Sequence, residues 1–267
     1  HATYHMCAQT SAVGWSVTVS DAIVARGEST NLDLSFPPLR DGVAMAGMIK
    51  VQNAAGAFSK PIWLFSRNPY FPVISDLMVY DPVGATAPML ESNGIRHKTV
   101  ASLNALANAS NGVLIVGAGI STAEAKGVAP VLFGAAARGL RILWLAPAAG
   151  RMALPGREAP APTFLEFRDT DVIPASDKRL QAADWRNRSA VASSFQLVGD
   201  RRMVEMEWRT AAEGGWCWLA ARWPSGGRLV ICGLSIVDSW ENNPAPRYLI
   251  SQWLMDFKQD GLGKENK

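Results

Sequence analysis

Over the first quarter of the chain, apolar residues alternate with polar ones at a period of two. The pattern appears in the segments WSVTVS, LDLSF, MIKV and IWLF, and stretches rich in Gly, Pro, Ser and Asn separate them. Such alternation is typical of half-buried β-strands joined by turns. Residues 1–72 are therefore predicted to form a small antiparallel β unit. Its strands are too few for a complete sandwich of about 100 residues, so we predict a partial one.

Beyond residue 72 the pattern changes to short, continuous apolar runs that alternate with segments of helical spacing. Strands are predicted at DLMVYD, HKTV, GVLIVG and RILWLA, and helices at ATAPMLESNGI, ASLNALANA and AEAKGVAPVLFGAAARG. This alternation indicates a mainly parallel sheet with helices on both faces. The predicted fold class is α/β, and residues 73–258 are assigned to this domain.

Residues 148–162 are rich in Pro, Gly and Ala and are predicted to form a loop insertion in the α/β domain. After them, TFLEF, MVEMEW, GWCWLAARWP and GRLVICGL read as strands, the last two joined by the hairpin-type connection PSGG. A final helix over PAPRYLISQWLMDF begins with prolines in its first turn. Residues 259–267 are expected to be a disordered tail, and His1 and His5 are assigned to an N-terminal tail.

Composition and charge exclude several classes of protein. The chain has 48% hydrophobic and 18% charged residues, as expected for a globular protein. Its formal net charge of +3 is small, and the basic residues are scattered, which argues against a nucleic-acid partner. No apolar run reaches the roughly 18 to 20 residues that a membrane span needs, so no transmembrane segment is predicted.

The three cysteines, Cys7, Cys217 and Cys232, lack the clustered spacing of a zinc site. Cys217 and Cys232 lie in strand-like sequence, which favours buried free thiols, although one disulfide remains an alternative. The sequence predicts neither a metal site nor a cofactor.

The segment VLIVGAGISTAE joins an apolar strand to a helix through a glycine-rich turn. Gly117 and Gly119 match the first two glycines of a dinucleotide fingerprint, but Thr122 stands at the third position and no acidic residue ends the next strand. A nucleophile would have to be Ser121 with His97 as its base. Because Ser121 stands at a helix start, we favour a helix cap over a nucleophile.

Other polar residues are predicted just beyond the carboxyl ends of strands, where parallel sheets bind ligands. Asp81 follows the strand DLMVY, and Asp238, Trp240 and Glu241 follow LVICG. Carboxylates beside an aromatic ring would suit a sugar, whereas turn and helix-capping roles are the structural alternative. Together with Gly117, Gly119 and Ser121, these residues form the candidate ligand site.

The order of several segments suggests a family resemblance that covers about residues 60–257. The segments are SRNPYF, DLMVYDPVGATAPMLESNGI, GVLIVGAG, RILWLAPA, LQAADWRNRS and GGRLVICGLSIVDSWENNPAPRYLI. They resemble the C-terminal region of large bacterial proteins described as sugar-binding glycoside hydrolases of family two. In those proteins a β-sandwich precedes a flavodoxin-like domain similar to class I glutamine amidotransferases. The resemblance implies a nucleophilic Cys in the turn and a late His, but this chain has Gly117-Ala118-Gly119 there and no His after residue 97.

Three functions are left open by the sequence. The first is a non-catalytic accessory domain or subunit of a larger assembly, with saccharide as a candidate ligand. The second is a structural subunit that packs against other protein domains, because an incomplete sandwich has unpaired edges. The third is a hydrolase that uses Ser121. The resemblance and the start at His1 favour an extracytoplasmic location.

Overall fold

A computed structural model describes residues 3–12, 15–25, 39–53, 56–147, 150–153, 160–185, 189–198 and 215–262. The chain divides into two compact units, His1–Tyr70 and Phe71–Lys267, close to the boundary predicted after residue 72. The predicted strands LDLSF and MVEMEW lie outside the described residues.

The first unit contains a four-stranded antiparallel sheet. Its strands are β1 (Thr3–Ala12), β2 (Trp15–Ala25), β3 (Ala44–Asn53) and β4 (Gly56–Phe65), in the spatial order β2-β1-β3-β4. The assignment of His5 to a tail is wrong, because His5 lies within β1 and pairs with Ile23 of β2. The segment of β1, TYHMCAQTSA, contains few large apolar residues, so hydrophobic alternation did not reveal this strand.

The register of β3 and β4 separates their residues into two faces. Met45 pairs with Leu64 and Val51 pairs with Phe58, and directly paired residues share a face of the sheet. Six large apolar residues of one face form what we call the apolar face: Met45, Ile49, Val51, Phe58, Ile62 and Leu64. None of them is buried, and Phe58 is 62% exposed. No described residue of β3 or β4 is buried on either face.

The second unit confirms the α/β class. Its strands are β5 (Leu77–Tyr80), β6 (Lys98–Thr99), β7 (Val113–Val116), β8 (Arg141–Leu145), β9 (Gly150–Ala153), β10 (Phe164–Arg168), β11 (Phe195–Val198), β12 (Trp218–Arg222) and β13 (Arg228–Cys232). Its helices are α1 (Thr86–Ser92), α2 (Thr122–Arg138), α3 (Val172–Ser176), α4 (Ile236–Ser239) and α5 (Pro244–Leu262), with 3-10 turns at Leu103–Leu106 and Ala182–Asp184.

Seven of these strands form one mixed, mostly parallel sheet in the order β10-β12-β13-β8-β7-β5-β6. The strands from β13 to β6 run parallel, whereas β12 and β10 add an antiparallel edge. The antiparallel pairing of β12 with β13 confirms the predicted hairpin. Every residue of β7 and β8 is buried, as expected for central strands that are covered on both faces.

Helices cover both faces of this sheet. Ile142 and Trp144 belong to the core cluster that contains Leu132 and Phe133 of α2. On the opposite face, the guanidinium of Arg141 donates a 2.6 Å hydrogen bond to the carbonyl oxygen of Phe257 in α5. In the part of the chain that the structure describes, no helix is both long and apolar enough to cross a membrane.

Three predicted boundaries need correction. The helix expected over ASLNALANA is only the 3-10 turn Leu103–Leu106. The insertion at 148–162 contains strand β9, which pairs with β11. Residues 259–262 continue α5 instead of starting a tail, because Asp260 accepts a hydrogen bond from Arg228 and Gly261 packs against Arg141.

Candidate functional site

The topology brings most of the predicted site residues to one edge of the large sheet. β5 and β7 are parallel neighbours, so Asp81 and Gly117 both follow the carboxyl ends of adjacent strands. Asp238 and Trp240 follow β13, which lies two positions from β7 on the same edge. This is the edge at which open parallel sheets bind ligands. The local contacts of each residue decide whether its polar groups are available to a ligand.

Asp81 caps helix α1 from five residues away. Its Oδ2 atom accepts hydrogen bonds from the backbone N–H groups of Thr86 at 2.7 Å and Ala87 at 2.8 Å. The carboxylate thereby satisfies two of the donors that a helix N-terminus leaves unpaired. Its other oxygen, Oδ1, is buried and has no hydrogen-bond partner among the described residues. The carbonyl of Asp81 also accepts from the N–H of Gly84 at 3.2 Å in the turn that the sequence left as an alternative, whereas its role as a cap of α1 was not predicted.

Gly117 fits against this carboxylate. A Cβ atom at Gly117 would overlap Oδ1 and Cγ of Asp81, so only glycine allows the two turns to approach this closely. The glycine thus supports packing between two turns of the protein. Gly119, whose φ is +83°, supplies the left-handed conformation that turns the chain toward α2.

The backbone donors of the Gly117–Gly119 turn are all used within the protein. The N–H of Gly117 donates to the carbonyl of Tyr80 at 2.8 Å, and that of Gly119 donates to the carbonyl of Ala146 at 3.1 Å. Between them, the N–H of Ala118 donates to the buried hydroxyl of Thr86 at 3.0 Å. Phosphate cradles and oxyanion holes need such donors directed at a ligand. This turn therefore offers neither.

Ser121 begins helix α2 as part of a capping box. Its Oγ atom accepts a hydrogen bond from the N–H of Glu124 and donates one of 2.6 Å to a Glu124 carboxylate oxygen. The same carboxylate accepts from the N–H of Ser121 at 3.0 Å. These bonds lower the pKa of Glu124 below its ordinary value. Ser121 thus has a cap's hydrogen bonds and no histidine partner among the described residues.

His97 is not placed to act on Ser121. It precedes β6, and therefore stands at the amino end of a strand parallel to β5, whereas Ser121 follows the carboxyl end of β7. Its side chain is only 2% exposed, and its Nδ1 atom lies 3.1 Å from the carbonyl oxygen of Ile95. Its Nε2 atom is 3.6 Å from Glu91. The pairing of Ser121 with His97 is therefore contradicted by the topology.

The residues after β13 do not present an aromatic surface. Trp240 is only 1% exposed; its ring stacks with Phe71 at 6.2 Å between centroids, and the guanidinium of Arg247 lies 5.6 Å from its centroid. A sugar needs an accessible ring face, so Trp240 cannot stack on one in this arrangement. Asp238 is exposed, and Glu241 is tied to Arg247 by an ion pair of 3.3 Å.

Sequence reasoning missed three residues that organise this edge. Thr86 joins the first turn of α1 to the glycine turn, and Arg247 also donates a 2.9 Å hydrogen bond to the carbonyl of Trp240. Ala146 has a φ of +31°, a strained value for alanine, and its N–H donates to the carbonyl of Cys232. Of these three residues, only Arg247 left a signal in the sequence, because it is a charged residue inside a predicted helix that is otherwise mostly apolar.

Cys217 and Cys232 are buried free thiols, as the sequence favoured. Burial raises the pKa of Cys232 to about 12. The pKa of Cys217 is also raised, first by burial and then by the nearby carboxylate of Asp169. Both groups are therefore neutral at physiological pH and are poor nucleophiles. Among the described residues, no group of three or more His, Cys, Asp or Glu could hold a metal ion.

Comparisons with models of protein families, with curated proteins and with solved structures found no match to this chain. The case for a function therefore rests on the geometry of the chain itself.

Proposed function

We propose that this chain is a non-catalytic accessory module that associates with another protein domain through the apolar face of its four-stranded sheet. The observation that carries the proposal is that no residue of that face is buried: Phe58 is exposed, and the other five are half-buried. A sheet in a globular domain is stable when it buries one face against another layer. Here no described residue of β3 or β4 is buried, although the apolar face presents six large apolar residues.

The sequence of the edge strand β4 makes it more favourable for a partner to pack over the face of the sheet than to add a strand beside β4. β4 stands at the end of the strand order and contains Lys60 and Pro61 at its centre. Proline has no backbone N–H, and lysine and proline on an edge strand discourage pairing with a further strand. An added layer is therefore better placed over the face than beside β4.

The carboxyl edge of the large sheet supports the non-catalytic part of the proposal. The donors of the glycine turn and the hydroxyl of Ser121 are used within the protein, and Trp240 is buried. These contacts favour association over both the hydrolase and the saccharide alternatives. No described side chain at this edge combines a nucleophile with a base.

A hydrophobic dye such as anilinonaphthalene sulfonate tests whether the face is open. We expect the dilute chain to enhance dye fluorescence, and Ile49→Ser to reduce that enhancement. Met48→Ser is the matched control, because Met48 is the next residue of β3, is also half-buried and lies on the opposite face. No enhancement by the dilute chain, or equal effects of the two substitutions, would argue against the proposal.

A serine-directed fluorophosphonate probe tests the catalytic alternative. The proposal predicts no labelling of Ser121, because its hydroxyl is held by Glu124 and lacks a base. Labelling of the wild-type chain that disappears in Ser121→Ala would show instead that Ser121 is a nucleophile.

A further inference from the structure

The turn before β7 holds the side-chain amide of Asn111 against the backbone nitrogen of the next residue. The N–H of Gly112 donates a 2.8 Å hydrogen bond to Oδ1 of Asn111. Nη2 of Arg141 donates to the same oxygen at 3.2 Å. Because an amide oxygen accepts hydrogen bonds and an amide nitrogen does not, the two donors fix which end of the side chain faces Gly112. The side-chain carbonyl of Asn111 is thus held between a backbone nitrogen and a guanidinium.

The turn requires glycine at position 112. The φ of Gly112 is +100°, and a Cβ atom there would lie 3.0 Å from a carboxylate oxygen of Asp76 and 3.2 Å from its carbonyl oxygen. Glycine also has no side chain that hinders attack by its nitrogen on the carbonyl of the preceding asparagine. The fold therefore keeps, directly after Asn111, the residue that most favours this attack.

We propose that Asn111 is a self-modification site, which converts to aspartate or isoaspartate without an enzyme. Water or hydroxide removes the proton of the Gly112 N–H, and the nitrogen forms a bond to Cγ of Asn111. The bond from Cγ to Nδ2 then breaks, and Nδ2 takes up a proton and leaves as ammonia. Water finally hydrolyses one of the two carbonyl–nitrogen bonds of the five-membered ring, which opens the ring and leaves a carboxyl group.

Arg141 supplies a positive charge at the oxygen that the attack makes negative. The residue is only 6% exposed, and its guanidinium also donates to the carbonyl oxygens of Gly112 at 3.2 Å and Phe257 at 2.6 Å. These bonds fix Nη2 in position beside Oδ1 of Asn111. A donor placed in advance at such an oxygen stabilises the transition state, and its removal slows enzymes by about 10²–10³-fold. In the aspartate product, the same guanidinium pairs with a carboxylate.

The chain contains a second Asn-Gly pair in almost the same local sequence, SNGI around Asn93 and SNGV around Asn111. At Asn93 the contacts oppose the reaction. The N–H of Gly94 donates to the carbonyl oxygen of Glu91 at 2.9 Å, which directs it away from the side chain. Nδ2 of Asn93 is held by the carbonyl oxygen of Met89, also at 2.9 Å. Asn93 is therefore an internal control that differs from Asn111 in its tertiary contacts.

Peptide mapping by mass spectrometry of the folded chain, incubated at mildly alkaline pH, tests the inference. We expect the mass increase of an amide that becomes a carboxyl to accumulate about tenfold or more faster at Asn111 than at Asn93, because a guanidinium faces Oδ1 of Asn111. In urea the contacts are lost, and the two sites should react at similar rates. Similar rates in the folded chain, a faster reaction at Asn93, or no conversion at Asn111 would overturn the inference.

Arg141→Lys separates the effect of the guanidinium from that of the Asn-Gly pair. A lysine ammonium cannot keep the forked contacts of a guanidinium, so conversion at Asn111 should slow while conversion at Asn93 stays the same. An unchanged rate at Asn111 in the folded variant would overturn the role of Arg141. A rise at Asn93 to its rate in urea would show that the variant is unfolded, and the ratio of the two rates in the wild type then decides.

Discussion

The turns that follow the adjacent strands β5 and β7 are held together by contacts of Asp81, Thr86 and Gly117. The Asp81 carboxylate caps α1, the Thr86 hydroxyl accepts from Ala118, and Gly117 leaves room for the carboxylate. The contacts of Thr86 with Ala118 and of Gly117 with Asp81 join residues that are far apart in sequence. The hydrogen bonds of the glycine turn occupy the backbone donors that a ligand would need. Sequence reasoning placed Asp81 and Gly117 at the same edge, but could not show that they pack against each other, because that depends on the distance between two turns.

The fit between Gly117 and Asp81 predicts the effect of adding one methyl group. Gly117→Ala should lower the free energy of unfolding by about 1–3 kcal/mol, because the new Cβ overlaps the carboxylate. Gly127→Ala is the control: Gly127 lies in α2 with open space around its Cα, and the same change there should stabilise by about 0.5–1 kcal/mol. Urea denaturation of both variants measures the contrast. Equal effects would contradict the proposed packing.

The buried thiol of Cys232 predicts an alkaline loss of stability. Burial raises its pKa to about 12, whereas an unfolded thiol titrates near 8.5. The unfolded chain alone therefore loses this proton as the pH rises above about 8.5, and stability falls by about 1.4 kcal/mol per pH unit for this group. The stability difference between the wild type and Cys232→Ala should shrink between pH 8 and pH 10. A difference that does not change with pH would refute this assignment.

The elements of the large sheet were mostly predictable, because their signals are local. The continuous apolar runs of β5, β7 and β8 each marked an element in the sequence. Two elements needed tertiary contacts that the sequence does not display. Strand β1 is defined by pairing with β2 and β3, and the end of α5 is held by Arg228 and Arg141.

The start of α2 gives a test at the scale of one element. Ser121→Ala removes the capping hydrogen bond and should destabilise the protein by about 1 kcal/mol, whereas Ser121→Thr keeps the hydroxyl that accepts from Glu124 N–H and donates to its carboxylate, and should lose less. Thermal unfolding of the two variants compares them. Equal destabilisation by Ala and Thr would contradict the capping role of the hydroxyl.

At the scale of the whole molecule, the two units differ in how they bury their sheets. In the α/β unit, β7 and β8 are fully buried between helices on both faces. In the β unit, no residue of the apolar face is buried, and only Phe58 is exposed. The sequence predicted an incomplete sandwich from the number of strands, but only the register of β3 and β4 showed which residues share the apolar face. This contrast is the basis for proposing association as the function.

Hydrogen–deuterium exchange of the dilute chain tests that proposal most directly. A sheet without a covering layer opens locally at low cost, whereas strands that are covered on both faces open rarely. We predict fast exchange in β3 and β4 and slow exchange in β7 and β8 of the dilute chain. Exchange in β3 and β4 that is as slow as in β7 and β8 in the dilute chain would show a face already covered, and would contradict the proposed association.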